Sequence, residues 1–283
     1  MVKRIITSVV ALAVFVGILF LPPICFTVAL AAVILFMLYE CYSATKADLG
    51  MKTIGFISAV ILMLSIYFFK ALEWDTFAWA TASIGIIFII ALHMITVVAK
   101  HGKRNYKDIL SNGFLTMYIV ISMGCVWLTK ETFDTATMLL TFICAWSCDT
   151  FAYFTGRFFG KHKLIPHVSP NKTVEGSVGG VVGAMVICIL YLLIVKNVFD
   201  TNILTWSNVV VEGAVYGLVG GALSQLGDLI ASAIKRDTGI KDFGWIFPGH
   251  GGFMDRFDSV MFIAPIMYIL PSVIGIAIIA MAN

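Results

Sequence analysis

Acidic, basic, glycine and histidine residues concentrate in one short segment of the chain, which reads SAIKRDTGIKDFGWIFPGHGGFMDRFDS from Ser232 to Ser259. Carboxylates that converge at one depth repel one another unless a cation lies among them, and oxygen ligands with water and phosphate are what Mg²⁺ prefers. The run from Pro248 to Gly252 is a stiff corner followed by glycines, which tolerate positive φ. The segment therefore predicts a site for a metal ion and phosphate groups.

A polar stripe lies on the apolar stretch just before this segment. Asp228 and Ser232 are four residues apart, and Lys235 continues the same helical face. An apolar helix with such a stripe must turn it toward protein or water. We predict that Asp228 and Asp255 bind Mg²⁺, with Asp258 as a further ligand or as a group that holds one.

A third group of polar residues forms the loop from Gly160 to Gly176, which reads GKHKLIPHVSPNKTVEG. Lys172 supplies a flexible cation suited to a phosphate, and Ser169 and Thr173 supply hydroxyl groups. The alternative interpretation is ordinary positive charge beside anionic lipid heads. The prolines and hydroxyls favour a phosphate-binding loop.

The apolar span before this loop carries Asp149, Tyr153 and Arg157 at four-residue intervals, which places them on one helical face. An internal pair between Asp149 and Arg157 would explain that face without any chemistry. Ionisable residues within membrane spans nevertheless usually mark function. We therefore keep Asp149 as a candidate for substrate binding, with the structural pair as the alternative.

The composition of the chain identifies the elements that must position these residues. Apolar residues make up 60% of 283 positions and charged residues 12%, against roughly 45–50% and about 25% in soluble proteins. A bilayer core takes about 20 apolar residues to cross. We predict an all-α polytopic integral membrane protein with about nine transmembrane helices, at approximately 5–21, 24–39, 53–69, 76–99, 113–129, 135–156, 177–195, 212–234 and 259–281.

The charges between the predicted spans define an orientation. Of 19 Lys and Arg residues, only Lys70, Lys130 and Lys196 fall on one side of the membrane. The positive-inside rule then places the N-terminus in the cytoplasm and the C-terminus outside. Polar groups enter the spans mainly in the second half. We therefore predict a transmembrane scaffold of about five helices over 1–130 and a catalytic half over 131–283, with its site facing the cytoplasm.

The polar segments resemble the motifs of phosphatidate cytidylyltransferases of the bacterial type, also called CDP-diacylglycerol synthases. The matching residues are Ser232, Lys235-Arg236, Lys241-Asp242, Gly244, Phe247-Pro248, His250-Gly251-Gly252, Asp255-Arg256 and Asp258, then Ser169-Pro170-Asn171-Lys172-Thr173 with Glu175-Gly176, and Asp149 with Ala152-Tyr153 and Gly156. The first 130 residues match only as a string of apolar spans. Val174 stands where bacterial members often carry an aromatic residue.

The resemblance implies that CTP and phosphatidate give CDP-diacylglycerol and pyrophosphate, for phospholipid biosynthesis. It implies Mg²⁺ as cofactor, with a second, monovalent cation left open, and a homodimer in a bacterial inner membrane. We expect no nucleic-acid partner. The residues that we expect to act on the phosphates or on substrate orientation, besides the three aspartates, are Lys172, Ser169, Thr173, Ser232, Lys235, Arg236, Lys241, His250, Gly251, Gly252, Arg256 and Asp149.

Other classes of protein fit part of this pattern. A transporter also has several spans and intramembrane carboxylates, but the polar groups here cluster on one side instead of forming a path across. CDP-alcohol phosphotransferases carry a D-x2-D-G-x2-A-R core, which is not found in this sequence. CTP-dependent lipid or polyprenol kinases share the same chemistry and stay an alternative. A purely structural scaffold would leave the aspartates without a purpose.

Overall fold

The protein is described here from a computed structural model, which covers residues 2–99, 106–199 and 209–282. The predicted cytoplasmic residues Lys100, Lys103 and Arg104 lie outside these ranges. Within them the chain forms nine helices: α1 (Val2–Leu19), α2 (Pro23–Ala44), α3 (Leu49–Ala71), α4 (Asp75–Ala99), α5 (Tyr106–Thr132), α6 (Thr135–Phe159), α7 (Val174–Phe199), α8 (Val209–Asp237) and α9 (Met254–Ala282).

Seven stretches of these helices, within the described residues, are long and apolar enough to cross a membrane. Two shorter apolar stretches, Ile6–Leu19 and Ser83–Ile95, belong to α1 and α4. The predicted all-α polytopic membrane fold is therefore confirmed. Most helices extend a few residues beyond the predicted spans, because the spans were predicted from apolar runs and the helices also include polar residues at their ends.

Local sequence signals explain where several of these helices begin. Pro23 starts α2, where its missing N–H costs nothing. Asp48 accepts a hydrogen bond from the backbone N–H of Met51 at 3.0 Å and so caps α3. Asp134 does the same for α6 through the N–H of Thr137, at 2.7 Å. Each cap satisfies a backbone donor that the first turn of a helix leaves unpaired.

The chain divides into two compact units. Unit 1 comprises Met1–Gly124 and Thr238–Arg256, and unit 2 comprises Cys125–Asp237 and Phe257–Asn283. The segment Thr238–Arg256, which holds most of the glycine-rich motif, thus belongs to the same unit as the N-terminal helices. The functional division into a scaffold and a catalytic half stays a prediction.

A short β-hairpin in unit 2 follows α6, where the sequence predicted only a loop. Strands β1 (Lys163–Ile165) and β2 (Ser169–Thr173) pair antiparallel, with Lys163 opposite Thr173 and Ile165 opposite Ser169. Strand β2 leads directly into α7. The hairpin therefore holds Ser169, Lys172 and Thr173 on paired backbone at the start of that helix.

Helices α6, α7 and α8 pack closely in unit 2 because glycines line their contacts. A Cβ atom on Gly180 would lie 2.9 Å from the carbonyl oxygen of Cys148. A Cβ on Gly217 would lie 2.3 Å from the Cα of Met185. Such approaches exclude larger residues. The three- and four-residue spacing of Gly176, Gly179, Gly180 and Gly183 in the sequence predicts close packing of helices, and this prediction is confirmed for Gly180. Backbone approach through small residues is the usual way that membrane helices associate.

Gln225 ties the three helices together at the level of the polar stripe. Its side chain, 6% exposed, accepts a hydrogen bond from the Ser177 hydroxyl. Its amide nitrogen donates to the carbonyl oxygen of Ser177 at 2.9 Å and to the Cys148 sulfur at 3.3 Å. One side chain of α8 therefore bonds to both α6 and α7.

Replacing Gln225 with leucine is expected to destabilise unit 2, since the half-buried hydroxyl and the carbonyl of Ser177 lose their bonds to the Gln225 side chain. A buried polar group left without a hydrogen bond costs about 1–3 kcal/mol. Thermal unfolding of the detergent-solubilised variant should start at a lower temperature than that of the parent. The control is Thr150→Ala on the exposed surface of α6, where the hydroxyl donates to the carbonyl oxygen of Trp146 in its own helix. Equal unfolding of both variants would contradict this role for Gln225.

Candidate active site

Strand β2 and helix α8 bring a lysine and an aspartate together in unit 2. The Lys172 ammonium nitrogen lies 2.5 Å from Asp228 Oδ2, and the two side chains are 24% and 28% exposed. The Ser232 hydroxyl lies one turn further along α8, 3.5 Å from Asp228 Oδ1. The predicted stripe on α8 and the predicted loop lysine therefore meet, and Asp228 is held by groups from both.

Two further carboxylates belong to the same cluster of unit 2. Asp258, on α9, is 8% exposed and interacts electrostatically with Asp228, Asp149 and Lys235. The backbone N–H of Ser259 donates to Asp258 Oδ1 at 2.8 Å, and its hydroxyl donates to Asp149 Oδ2 at 3.3 Å. Asp149 is thus bonded to Ser259 across helices, and Arg157 instead donates to the Tyr153 hydroxyl at 3.0 Å.

This cluster combines three carboxylates with the ammonium groups of Lys172 and Lys235. Three carboxylates beside two ammonium groups leave an excess of negative charge, and nearby like charges repel one another, so the cluster favours an additional cation. Among the described residues, no three His, Cys, Asp or Glu side chains stand where they could hold a metal by themselves. Mg²⁺ in nucleotide sites is usually bound by one or two carboxylates plus waters and substrate phosphates, so the donor chemistry of Asp228 and Asp258 fits it.

Charged side chains fix the hairpin at both ends. Glu175, in the first turn of α7, accepts hydrogen bonds from the backbone N–H of Lys161 at 3.0 Å and from His162 Nδ1 at 2.6 Å. Arg236, near the end of α8, donates from Nε to the carbonyl oxygen of Val168 at 3.3 Å. Arg236 therefore holds the hairpin turn, in addition to any contact with a phosphate.

Thr173 has a structural role that the sequence did not suggest. Its hydroxyl oxygen accepts a hydrogen bond from the backbone N–H of Gly176 at 3.1 Å, and the residue is 8% exposed. It caps the start of α7, as a threonine at this position commonly does. Ser169 and Lys172 are more accessible on the same strand, so they are the better candidates of β2 for phosphate contact.

The glycine-rich loop of unit 1 folds around the carboxylate of Asp255. Oδ2 of Asp255 accepts hydrogen bonds from the backbone N–H of Phe243 at 2.8 Å and of Gly252 at 3.0 Å. Gly249 and Gly251 have φ of 79° and 80°, in the left-handed region that favours glycine. The predicted need for glycine in this corner is confirmed, and Asp255 organises the loop in which it was predicted to act.

The other predicted residues of unit 1 differ in their surroundings. His250 Nε2 lies 3.2 Å from the hydroxyl of Ser8 on α1, which orients the imidazole. Lys241 and Arg256 are exposed and therefore accessible to a soluble ligand. The predicted metal ligands are divided between the units, with Asp228 and Asp258 in unit 2 and Asp255 in unit 1.

Sequence reasoning missed one buried carboxylate of unit 1. Glu40 is 3% exposed and accepts hydrogen bonds from the N–H groups of Phe253 and Met254. The predicted span ended at residue 39, whereas α2 continues to Ala44. An acidic residue inside an apolar helix was the available signal. The bonds of Ser259 and Gln225, which depend on tertiary contacts, had no such signal.

Comparison with known proteins gives matches over most of the chain. The profile of a family described as "Cytidylyltransferase family" matches residues 2–274. A phosphatidate cytidylyltransferase of Staphylococcus saprophyticus is 33% identical over 94% of this chain and 97% of its own length. A protein of the same name from Bacillus subtilis is 32% identical to this chain, over 95% of this chain and 97% of its own length. One from Thermotoga maritima is 30% identical to this chain, over 74% of this chain and 76% of its own length.

Proposed function

The chain belongs to the cytidylyltransferase family, and we propose that it is a phosphatidate cytidylyltransferase, which makes CDP-diacylglycerol and pyrophosphate from CTP and phosphatidate. Full-length similarity to proteins of that name supports the substrates. The observation that carries the proposal is the pairing of Lys172 with Asp228 beside Asp258 in unit 2. Carboxylates and mobile cations at one place are what a reaction between two phosphates requires.

The proposed reaction is a substitution at the α-phosphorus of CTP. A phosphate oxygen of phosphatidate forms the new bond to that phosphorus, and the bond from it to the bridging oxygen of the β-phosphate breaks. Pyrophosphate leaves with the electron pair. The nucleophile is already an anion near neutral pH, so no strong base is needed. The protein must hold two anions in line and neutralise their charge.

The basic residues of unit 2 have the positions for this task. Lys172 would exchange Asp228 for a phosphate oxygen when substrate binds, because its four-carbon chain extends from a strand beside the cluster. Ser232 and Lys235 follow Asp228 on α8 at one-turn intervals, so they would line up along the same phosphate groups. Lys241 and His250 of unit 1 are proposed to orient substrate or leaving group.

Asp228 and Asp258 are the proposed metal ligands of unit 2. Asp255 of unit 1 is also proposed as a metal ligand, on the basis of the sequence prediction. Mg²⁺, when bound, would neutralise phosphate oxygens as pyrophosphate departs. The carboxylates would hold and orient it, and the backbone N–H of Ser259 donates a hydrogen bond that fixes the Asp258 carboxylate. A monovalent cation is a further proposal for the same acidic surroundings.

The chain is a multi-pass membrane protein. We propose a bacterial inner membrane as its location, with the active site on the cytoplasmic side, because the positive charges concentrate on the loops that carry the motifs. A homodimer is proposed from the family resemblance alone. Lipid substrate then reaches the site from the bilayer, and CTP reaches it from the cytoplasm.

The purified protein is expected to form CDP-diacylglycerol and pyrophosphate in equal amounts from CTP and phosphatidate, and only with Mg²⁺. Lipid extracts analysed by mass spectrometry and a coupled pyrophosphate assay measure the two products. EDTA should stop the reaction and added Mg²⁺ should restore it. Release of CDP together with a phosphorylated lipid would identify a kinase instead, and a folded protein that makes neither product would contradict the proposed activity.

A further inference from the structure

Glu40 places a carboxylate inside the otherwise apolar helix α2 of unit 1. Its helix forms a candidate membrane span with a mean hydropathy of 2.3, and the side chain is 3% exposed. An acidic residue at such a place is costly to insert and persists where the surrounding protein compensates it. The groups that compensate Glu40 therefore indicate what it does.

The compensating groups are the first backbone amides of α9. Phe253 N–H donates to Glu40 Oε1 at 3.0 Å, and Met254 N–H donates to Oε2 at 2.8 Å. A helix start leaves such donors unpaired and favours a negative charge. Phe36, one turn earlier on α2, stacks on the ring of Phe253 at 5.3 Å between centroids. Helix α2 thus caps α9 with a carboxylate and a ring.

The loop before α9 is closed tightly on the same carboxylate. A Cβ atom on Gly244 or on Gly252 would lie 2.1 Å from Glu40 Oε1. Neither glycine has a positive φ, so steric space is the requirement at these positions. At Gly252 the three nearest atoms all belong to Glu40, whereas a Cβ on Gly244 would also lie 2.9 Å from the Cα of Gly252. Gly252 also donates its N–H to Asp255 at 3.0 Å. The loop from 243 to 253 is therefore folded between two carboxylates, Glu40 and Asp255.

We infer that Glu40 is a positioning residue, which holds this loop and the first turn of α9 so that Asp255 keeps its orientation. It acts through the backbone groups of the loop and through Asp255. The inference rests on the proposed function in that Asp255 takes part in turnover as a ligand of Mg²⁺. The geometry of the loop itself does not depend on that assignment.

The test replaces Glu40 with glutamine, which keeps one acceptor oxygen but turns an amide donor toward one of the two N–H groups. Residues that orient metal ligands change activity or metal affinity by roughly 10–100-fold when altered. We expect kcat to fall by about that factor and the Mg²⁺ concentration for half activation to rise. Glu131→Gln, at a partly exposed pair with Lys130, is the matched control and should behave as the parent.

A second readout is independent of turnover. Hydrogen exchange of peptides covering 243–254, measured by mass spectrometry on the detergent-solubilised full chain, should be faster in Glu40→Gln than in the parent. Unchanged exchange would overturn the inference. A lower kcat with an unshifted Mg²⁺ response would also overturn it, because a general loss of folded protein lowers the rate without changing the Mg²⁺ concentration needed. Failure of the parent to make CDP-diacylglycerol would contradict the proposed function alone, because the exchange result stands separately.

Gly252→Ala tests the same contact from the other side, because the three atoms nearest to its added Cβ all belong to Glu40, and it covers the case in which Glu40 variants do not fold. The added methyl group should push the carboxylate away and reproduce both the faster exchange and the lower kcat. Combined with Glu40→Ala it should add little further loss, because contacting residues are not additive. Losses that multiply in the double variant would show that Gly252 acts without Glu40 and would overturn the inference.

Discussion

Asp228→Asn is expected to lose nearly all synthesis of CDP-diacylglycerol, by at least about 100-fold in kcat. The Asp228 carboxylate pairs with the Lys172 ammonium group at 2.5 Å and interacts electrostatically with Asp258. It therefore connects the lysine of the hairpin to the other carboxylates of unit 2. Asparagine keeps the size and removes the charge that would hold Mg²⁺. Initial rates at saturating CTP and phosphatidate, normalised to folded protein, measure the loss.

The controls for Asp228 separate catalysis from a structural ion pair. Asp237→Asn makes the same change on exposed surface at the end of α8 and should leave the rate unchanged. Removing one partner of a buried pair is often far more damaging than replacing both. A purely structural pair therefore predicts recovery in Asp228→Asn combined with Lys172→Met. We expect that double variant to stay inactive, and recovery of turnover would remove Asp228 from the metal site.

The length of the apolar runs and the spacing of the glycines made the helices of unit 2 predictable. The span over 177–195 corresponds to α7, and its glycine Gly180 packs against α6 as expected. Both properties are local in the sequence, since length in the bilayer and residue size do not depend on distant contacts. The pairing of Lys172 with Asp228 was not predicted, although the sequence singled out each of the two residues by its type.

The remaining features depend on contacts that a sequence does not display. Strands β1 and β2 are short and polar, so no hydrophobic alternation marks them. Thr173 lies in a motif of phosphate-binding type, yet its hydroxyl is used by the Gly176 N–H. Whether the Thr173 hydroxyl caps a helix or contacts a phosphate depends on where α7 begins. Glu40 was missed because the apolar run before it ended the predicted span one turn too early.

Asp255→Asn is expected to reduce turnover by at least about 100-fold as well, while the loop around it stays folded. Oδ2 of Asp255 accepts the N–H groups of Phe243 and Gly252, and an asparagine oxygen can accept the same two bonds. Only the negative charge disappears. Rates measured over a range of Mg²⁺ concentrations, with hydrogen exchange of the 243–254 peptides on the same sample, separate the charge from the fold.

The matched control is Asp48→Asn, a residue of the same unit whose carboxylate also accepts a backbone N–H, that of Met51. Asparagine is as good a helix cap as aspartate, so this variant should keep parental rates. A loop-folding role alone predicts that Asp255→Asn behaves like Asp48→Asn, because both retain the acceptor. Near-parental turnover with unchanged exchange would therefore assign Asp255 to the loop and remove it from the proposed metal ligands, whereas lost turnover with unchanged exchange requires its charge in the reaction.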